Sequence, residues 1–100
     1  MADAFLVNSF AGKAKGGGTA TDVSQLAIPA SPYRKFLGIY NNSEDDIMWL
    51  SLDSEAVAGQ GIPVYPRDGY EMKFGDITYG DVYVVMDAGK TAPFSWLIGA

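Results

Sequence analysis

The sequence predicts an all-β fold: a small antiparallel β-sandwich or barrel, jelly-roll-like, with an extended N-terminal arm. Three observations lead there. Residues 33–98 divide into short apolar runs of period two, separated by turn-forming residues. No segment repeats apolar residues at three and four over ten positions, so no amphipathic helix is expected. The chain has 100 residues, 48% of them hydrophobic and 19% charged, which suits one thin core and not a disordered polymer.

Taken in order, residues 4–10 form a short apolar run. Gly16, Gly17 and Gly18 follow, and a triplet with this much backbone entropy is not expected to hold a regular element. Residues 21–28 can form a strand, with Val23 and Ala27 on one face and Leu26 and Ile28 on the other. Pro29 and Pro32 then set an extended path. The expected division is an arm over residues 1–32 and a sandwich over residues 33–100.

Residues 33–40 read as the first strong strand, ended by the turn composition Asn41-Asn42-Ser43. Residues 47–52 are apolar on both faces, Ile47 and Trp49 against Met48, Leu50 and Leu52, so the strand is expected to be covered on both sides or to give one face to a partner. With residues 43–46 between them, the two strands are expected to pair as a hairpin. Residues 53–61 read as a loop with at most one helical turn. Residues 62–66 carry Pro63 and Pro66 and belong at a sheet edge, where a missing N–H does no harm. Pro66-Arg67-Asp68-Gly69 is a strong turn, since Asp and Gly both tolerate positive φ. Strands are expected at 70–74, 77–79, 81–87 and 93–98. In the last, Phe94, Trp96 and Ile98 share a face; Trp49 and Trp96 are expected as core anchors.

Composition excludes much chemistry. There is no cysteine and no histidine, which removes disulfides, thiolate chemistry, the commonest general base and the commonest transition-metal ligand. No catalytic residue, cofactor or metal is expected. The formal charge is −5, with no run of Lys and Arg, so neither nucleic acid nor an anionic membrane is an expected partner. Met1 to Phe10 carry Asp3 and no basic residue, unlike a secretory signal, and no apolar stretch is long enough to span a bilayer.

Several patterns suggest sites and fall short. Gly89-Lys90-Thr91 ends like a phosphate loop, but position 84 is Val84 where the motif needs glycine; Gly12-Lys13 lacks the hydroxyl residue after it. Glu44, Asp45, Asp46, Asp53 and Glu55 would be neighbours if the hairpin formed. They lack the alternating order of a Ca²⁺ loop, and paired carboxylates for glycoside hydrolysis need a deeper cleft than a small sandwich offers. The residues best suited to partner binding are the apolar Phe5, Leu6, Val7 and Phe10 before the glycines, and Tyr65 and Tyr70, since tyrosine favours interfaces.

One set of runs carries a resemblance. Residues 34–43, RKFLGIYNNS, are followed by IMWLSL at 47–52, EAVAGQGIPV at 55–64, PRDG at 66–69 and GDVYVV at 80–85. This layout resembles small β-sandwich virion proteins of tailed bacteriophages, of the capsid decoration (cement) or head-fibre type, over residues 33–98. The resemblance implies a non-enzymatic virion structural protein, made in the host cytoplasm and placed on the outer capsid surface. Its implied partners are the major capsid protein and further copies of itself, most simply as a trimer. The alternative it leaves is a receptor- or carbohydrate-binding module of a tail or head fibre. It supplies no catalytic residues.

Overall fold

A computed structural model describes residues 14–32, 34–73 and 77–99. They form eight strands: β1 (Ala14–Ala20), β2 (Gln25–Ile28), β3 (Phe36–Asn41), β4 (Met48–Leu52), β5 (Ile62–Val64), β6 (Gly69–Lys73), β7 (Val82–Met86) and β8 (Ala92–Gly99). Two four-stranded antiparallel sheets result. Sheet A has the order β1-β8-β3-β6 and sheet B the order β2-β7-β4-β5. The pairs β1·β8, β2·β7, β3·β6 and β4·β5 are nested one inside the next, which is the connectivity of a jelly roll. Among the described residues there is no helix.

The core lies between the sheets and follows the period of two. Leu37 and Ile39 of β3, Met48 and Leu50 of β4, and Val82, Val84 and Met86 of β7 are all fully buried. Phe94, Trp96 and Ile98 share the inward face of β8, with Phe94 in the core and Trp96 and Ile98 packed against it. Each such aliphatic side chain contributes roughly 1.5–3 kcal/mol on burial.

The expected 33–40/47–52 hairpin does not form. β3 pairs with β6 and β8, whereas β4 pairs with β5 and β7, so the chain crosses between sheets at residues 42–47. The reason is Asn41, fully buried at the inward-facing end of β3. Its side-chain amide donates to Asp46 O at 2.7 Å and to Val64 O at 2.9 Å, and its side-chain oxygen accepts from Ser43 N at 2.9 Å. Ser43 Oγ accepts from Asp46 N at 2.9 Å. One side chain thus ties the corner to β5 of the opposite sheet.

The other end of β3 is held by Arg34, whose side chain is buried. The guanidinium donates to Pro29 O at 2.6 Å, Thr78 O at 2.9 Å and Gly80 O at 3.1 Å. It therefore joins the β2–β3 and β6–β7 connections, and residues 77–79 form this irregular connection instead of the expected strand. Burial pushes the Arg34 pKa down, while the charges of Asp81 and Asp53 oppose that shift.

Three further expectations are corrected. Gly16, Gly17 and Gly18 are not a loose hinge but the middle of β1, so the sandwich takes in residues 14–28 as β1 and β2. Gly16 sits opposite Trp96 and Gly18 opposite Phe94. A Cβ at Gly16 would lie 2.6 Å from the Trp96 ring, and one at Gly18 would lie 3.3 Å from Phe94. The glycines are thus the floor on which two large rings lie. Leu26 and Ile28 do not share a face: a register shift between them leaves Leu26 outside and Ile28 fully buried. Trp49 is not in the core. It lies on the outer face of sheet B opposite Val85, with its indole N–H donating to Asp87 Oδ1 at 3.2 Å. Val85 on that same face is nonetheless buried.

The Asn41 corner yields a test. Asn41→Ala strands the carbonyls of Asp46 and Val64 and should cost about 2–4 kcal/mol. Urea unfolding followed by tryptophan fluorescence checks this; a loss below about 1 kcal/mol would show that water replaces the side chain.

Candidate functional site

The four sheet edges are β1 and β6 in sheet A and β2 and β5 in sheet B. Edges offer unpaired backbone groups and are usually blunted. Here β5 carries Pro63, β2 carries the register shift, and β6 is five residues long with exposed Glu71 and Lys73. β1 has none of these devices beyond Lys15. It is seven residues long, and six of the seven are exposed. Among the described residues no strand pairs with its outer side, so it offers a template for an added strand.

Exposed apolar side chains gather beside β2. Ala56 N donates to Ser24 Oγ at 2.8 Å, which brings the β4–β5 loop to the start of β2. Val23 and Val57 flank that bond, and Leu26 points outward two residues beyond it; they are 68%, 52% and 48% exposed.

The outer face of sheet A carries a concavity of about 950 Å³, lined by Tyr40, Asn41, Asn42, Glu44, Arg67, Asp68, Gly69, Glu71 and Ser95. A second of about 500 Å³ shares Tyr40 and Ser95 and runs on past Leu97 to Lys15. Tyr40 is the shared element because of its register. It sits opposite Gly69 on β6 and two residues after Gly38 on its own strand. A Cβ at either glycine would collide with the Tyr40 ring, at its Cδ1 edge over Gly69 and at its hydroxyl end over Gly38. The ring therefore lies flat on a floor of backbone. Its hydroxyl donates to Glu71 Oε2 at 2.9 Å. Around it, Asn42 Nδ2 donates to Ser95 Oγ at 3.3 Å, and Arg67 pairs with Glu44 at 3.3 Å. Arg67 has a φ of 60°. The positive φ of this turn falls there and not on Asp68 or Gly69, with Asp68 N donating to Tyr65 O at 3.1 Å.

Of the residues expected to bind a partner, Phe5, Leu6, Val7 and Phe10 lie outside the described residues. Tyr65 is 55% exposed in the β5–β6 turn, at the same end as Arg67. Tyr70 faces inward on β6 opposite Ile39 and packs against the core. The acidic residues are not brought together. Glu44 and Asp46 lie at the Asn41 end, where Lys90 approaches Asp46 at 3.9 Å, while Asp53 lies at the Arg34 end against Gly80. Among the described residues no group of three or more acidic, His or Cys side chains could hold a metal ion. Tyr40 is one of several tyrosines in the sequence and is not singled out there; its one signal as a platform is a glycine two residues before it on the same strand face.

No family model matches the chain, and no curated protein matches it. Among solved structures it is similar to the plu4264 protein from Photorhabdus luminescens, at 10% identity and a TM-score of 0.48, over 84% of this chain and 61% of that one. It is also similar to PirA, at 11% identity and a TM-score of 0.45, over 86% of this chain and 93% of that one. The chain thus spans 61% of the length of the Photorhabdus protein. Likenesses this distant carry no conclusion about activity.

The Tyr40 phenol is held above its ordinary value of 10.0, first by burial, then by its bond to Glu71 and the charge there. The neutral phenol is the form that folding favours. Its contribution to stability is complete below the unfolded tyrosine value and is lost as pH rises through the folded one. An NMR titration of the Tyr40 ring should find it ionising above the ordinary tyrosine value, and Glu71→Gln should bring it back toward that value. A Tyr40 whose titration is the same with and without the Glu71 carboxylate contradicts the bond.

Proposed function

We propose that the protein is a non-catalytic virion structural protein, a capsid decoration protein that binds the outside of a bacteriophage head and stabilises it. The resemblance of residues 33–98 to phage virion sandwiches supports this reading. The observation that carries it is the open edge of β1, which continues directly from residues 1–13 with their apolar Phe5, Leu6, Val7 and Phe10. An extended segment of a capsid subunit can add to such an edge through main-chain hydrogen bonds, with the preceding apolar side chains giving specificity. The exposed Val23, Leu26 and Val57 next to β2 supply further apolar contact. Closed association of several copies, most simply a trimer, would cover the same kind of edge and suppress aggregation.

A module that binds only the assembled shell stabilises it by mass action, by about 2.7 kcal/mol per site at a hundredfold excess over the dissociation constant. Neither catalysis nor a cofactor enters this role. The absence of His and Cys is in keeping with it.

The test is to heat particles lacking the protein, with and without protein added back. Added protein should raise the temperature of genome release. Removal of residues 1–13, which spares every described strand, should leave the melting of the isolated domain unchanged and weaken particle binding at least tenfold. Equal heat survival with and without the protein overturns the stabilising role. Normal binding by the truncated protein removes those residues from the interface.

A further inference from the structure

The concavity over Tyr40 is not used by the docking just described, which takes place at the β1 and β2 edges. We infer that it is a binding site for a neutral saccharide, with one pyranose ring stacked on Tyr40. This inference stands on the geometry of one chain and is independent of the decoration reading.

The first argument is the platform. One face of the Tyr40 ring rests on Gly38 and Gly69, and its hydroxyl is fixed by Glu71, so the other face is presented to the concavity in a single orientation. An aromatic face held in this way suits the flat C–H face of a sugar and needs no ordering on binding. The second argument is the chemistry of the rim. Sugar hydroxyls both donate and accept. The rim offers acceptors in Glu71 and Asp68, donors in Arg67 and the Asn42 amide, and both in the Ser95 hydroxyl. An organic cation would use only the acceptors. An anion would meet the carboxylates of Glu44, Asp68 and Glu71 against the single guanidinium of Arg67. The third is strain: Arg67, a non-glycine residue, is held at a φ of 60° on this rim, and such conformations gather at ligand sites.

The platform also sets the size of the ligand. Tyr40 is the one aromatic residue lining the larger concavity, and the exposed Tyr65 and Tyr79 line neither. One ring stacks, and the volume accommodates one or two neighbouring sugars. Affinity for a single chain is then weak, and many copies on one particle would raise it by avidity.

The test is an NMR titration of the full-length, isotope-labelled protein with methyl glucopyranosides, methyl galactopyranoside, methyl mannopyranoside and N-acetylglucosamine. N-acetylarginine amide serves as the cationic probe. At least one saccharide should shift the Tyr40 ring and the amides of Asn42, Gly69 and Glu71 with saturation. Tyr40→Phe should keep binding within about threefold, and Tyr40→Ser should weaken it tenfold or more. Should Tyr40→Ser fail to fold, the exposed Asn42→Ala and Arg67→Ala variants should each weaken binding at least threefold. Shifts with the arginine probe alone overturn the proposal in favour of a cation site. No saturable shift with any saccharide, or shifts that these variants leave unchanged, also overturn it.

Discussion

β3 is anchored at both ends by a buried polar side chain, and the rest of the sandwich is built around that constraint. At its start Arg34 gathers carbonyls from the two connections at one end of the molecule; at its finish Asn41 gathers carbonyls from a corner and from the opposite sheet. A domain of this size has a thin core, so the connections are not held by apolar burial alone. Buried hydrogen bonds hold them with direction, since the acceptors are backbone groups that would otherwise be stranded. The arrangement has a cost. Arg34 is desolvated, and its Nε is buried without a partner. The nearby charges of Asp81 and Asp53 offset part of that cost.

With β3 fixed, its neighbours are positioned by a second rule: large rings lie on glycines. Trp96 and Phe94 cover Gly16 and Gly18 on the inner face of sheet A, and Tyr40 covers Gly38 and Gly69 on the outer face. These contacts help fix register, because a slip of one residue would set Phe94 against Thr19 or Trp96 against Lys15, and Tyr40 against Asp68 or Tyr70. The two faces have different consequences. Inside, the rings fill space that the glycines of β1 leave, and β1 ends as an edge with bare backbone. Outside, the ring is left facing solvent as a platform. The surface features that suggest function therefore follow from how glycine and aromatic residues are paired.

Much of the fold is legible in the sequence because the strands bury one face and their apolar period shows it. The runs around β3, β4, β7 and β8, and the inward set Phe94, Trp96 and Ile98, follow from alternation alone. Pairing is less legible. Residues 42–47 have the composition of a hairpin turn, and nothing local says that Asn41 reaches across to Val64. The glycine triplet reads as flexible until Trp96 and Phe94, nearly eighty residues away, are laid on it. The Tyr40 platform is hidden for a similar reason. Gly69 has the sequence context of a turn and Gly38 sits inside an ordinary strand, so neither marks itself as the floor beneath a tyrosine ring. Arg34 stands beside Lys35 and looks like half of a solvated basic pair, whereas its burial depends on two connections that converge from distant parts of the chain.

The claim that buried polar clamps hold the connections is tested most directly by native-state hydrogen exchange. The amide of Ser43 lies outside every strand but donates to Asn41 Oδ1 inside the buried corner. The account predicts that this loop amide exchanges only through global unfolding, with the same free energy and denaturant dependence as the β3 amides of Leu37 and Ile39. Exchange of Ser43 through a local opening several kcal/mol cheaper, with β3 still protected, would contradict it.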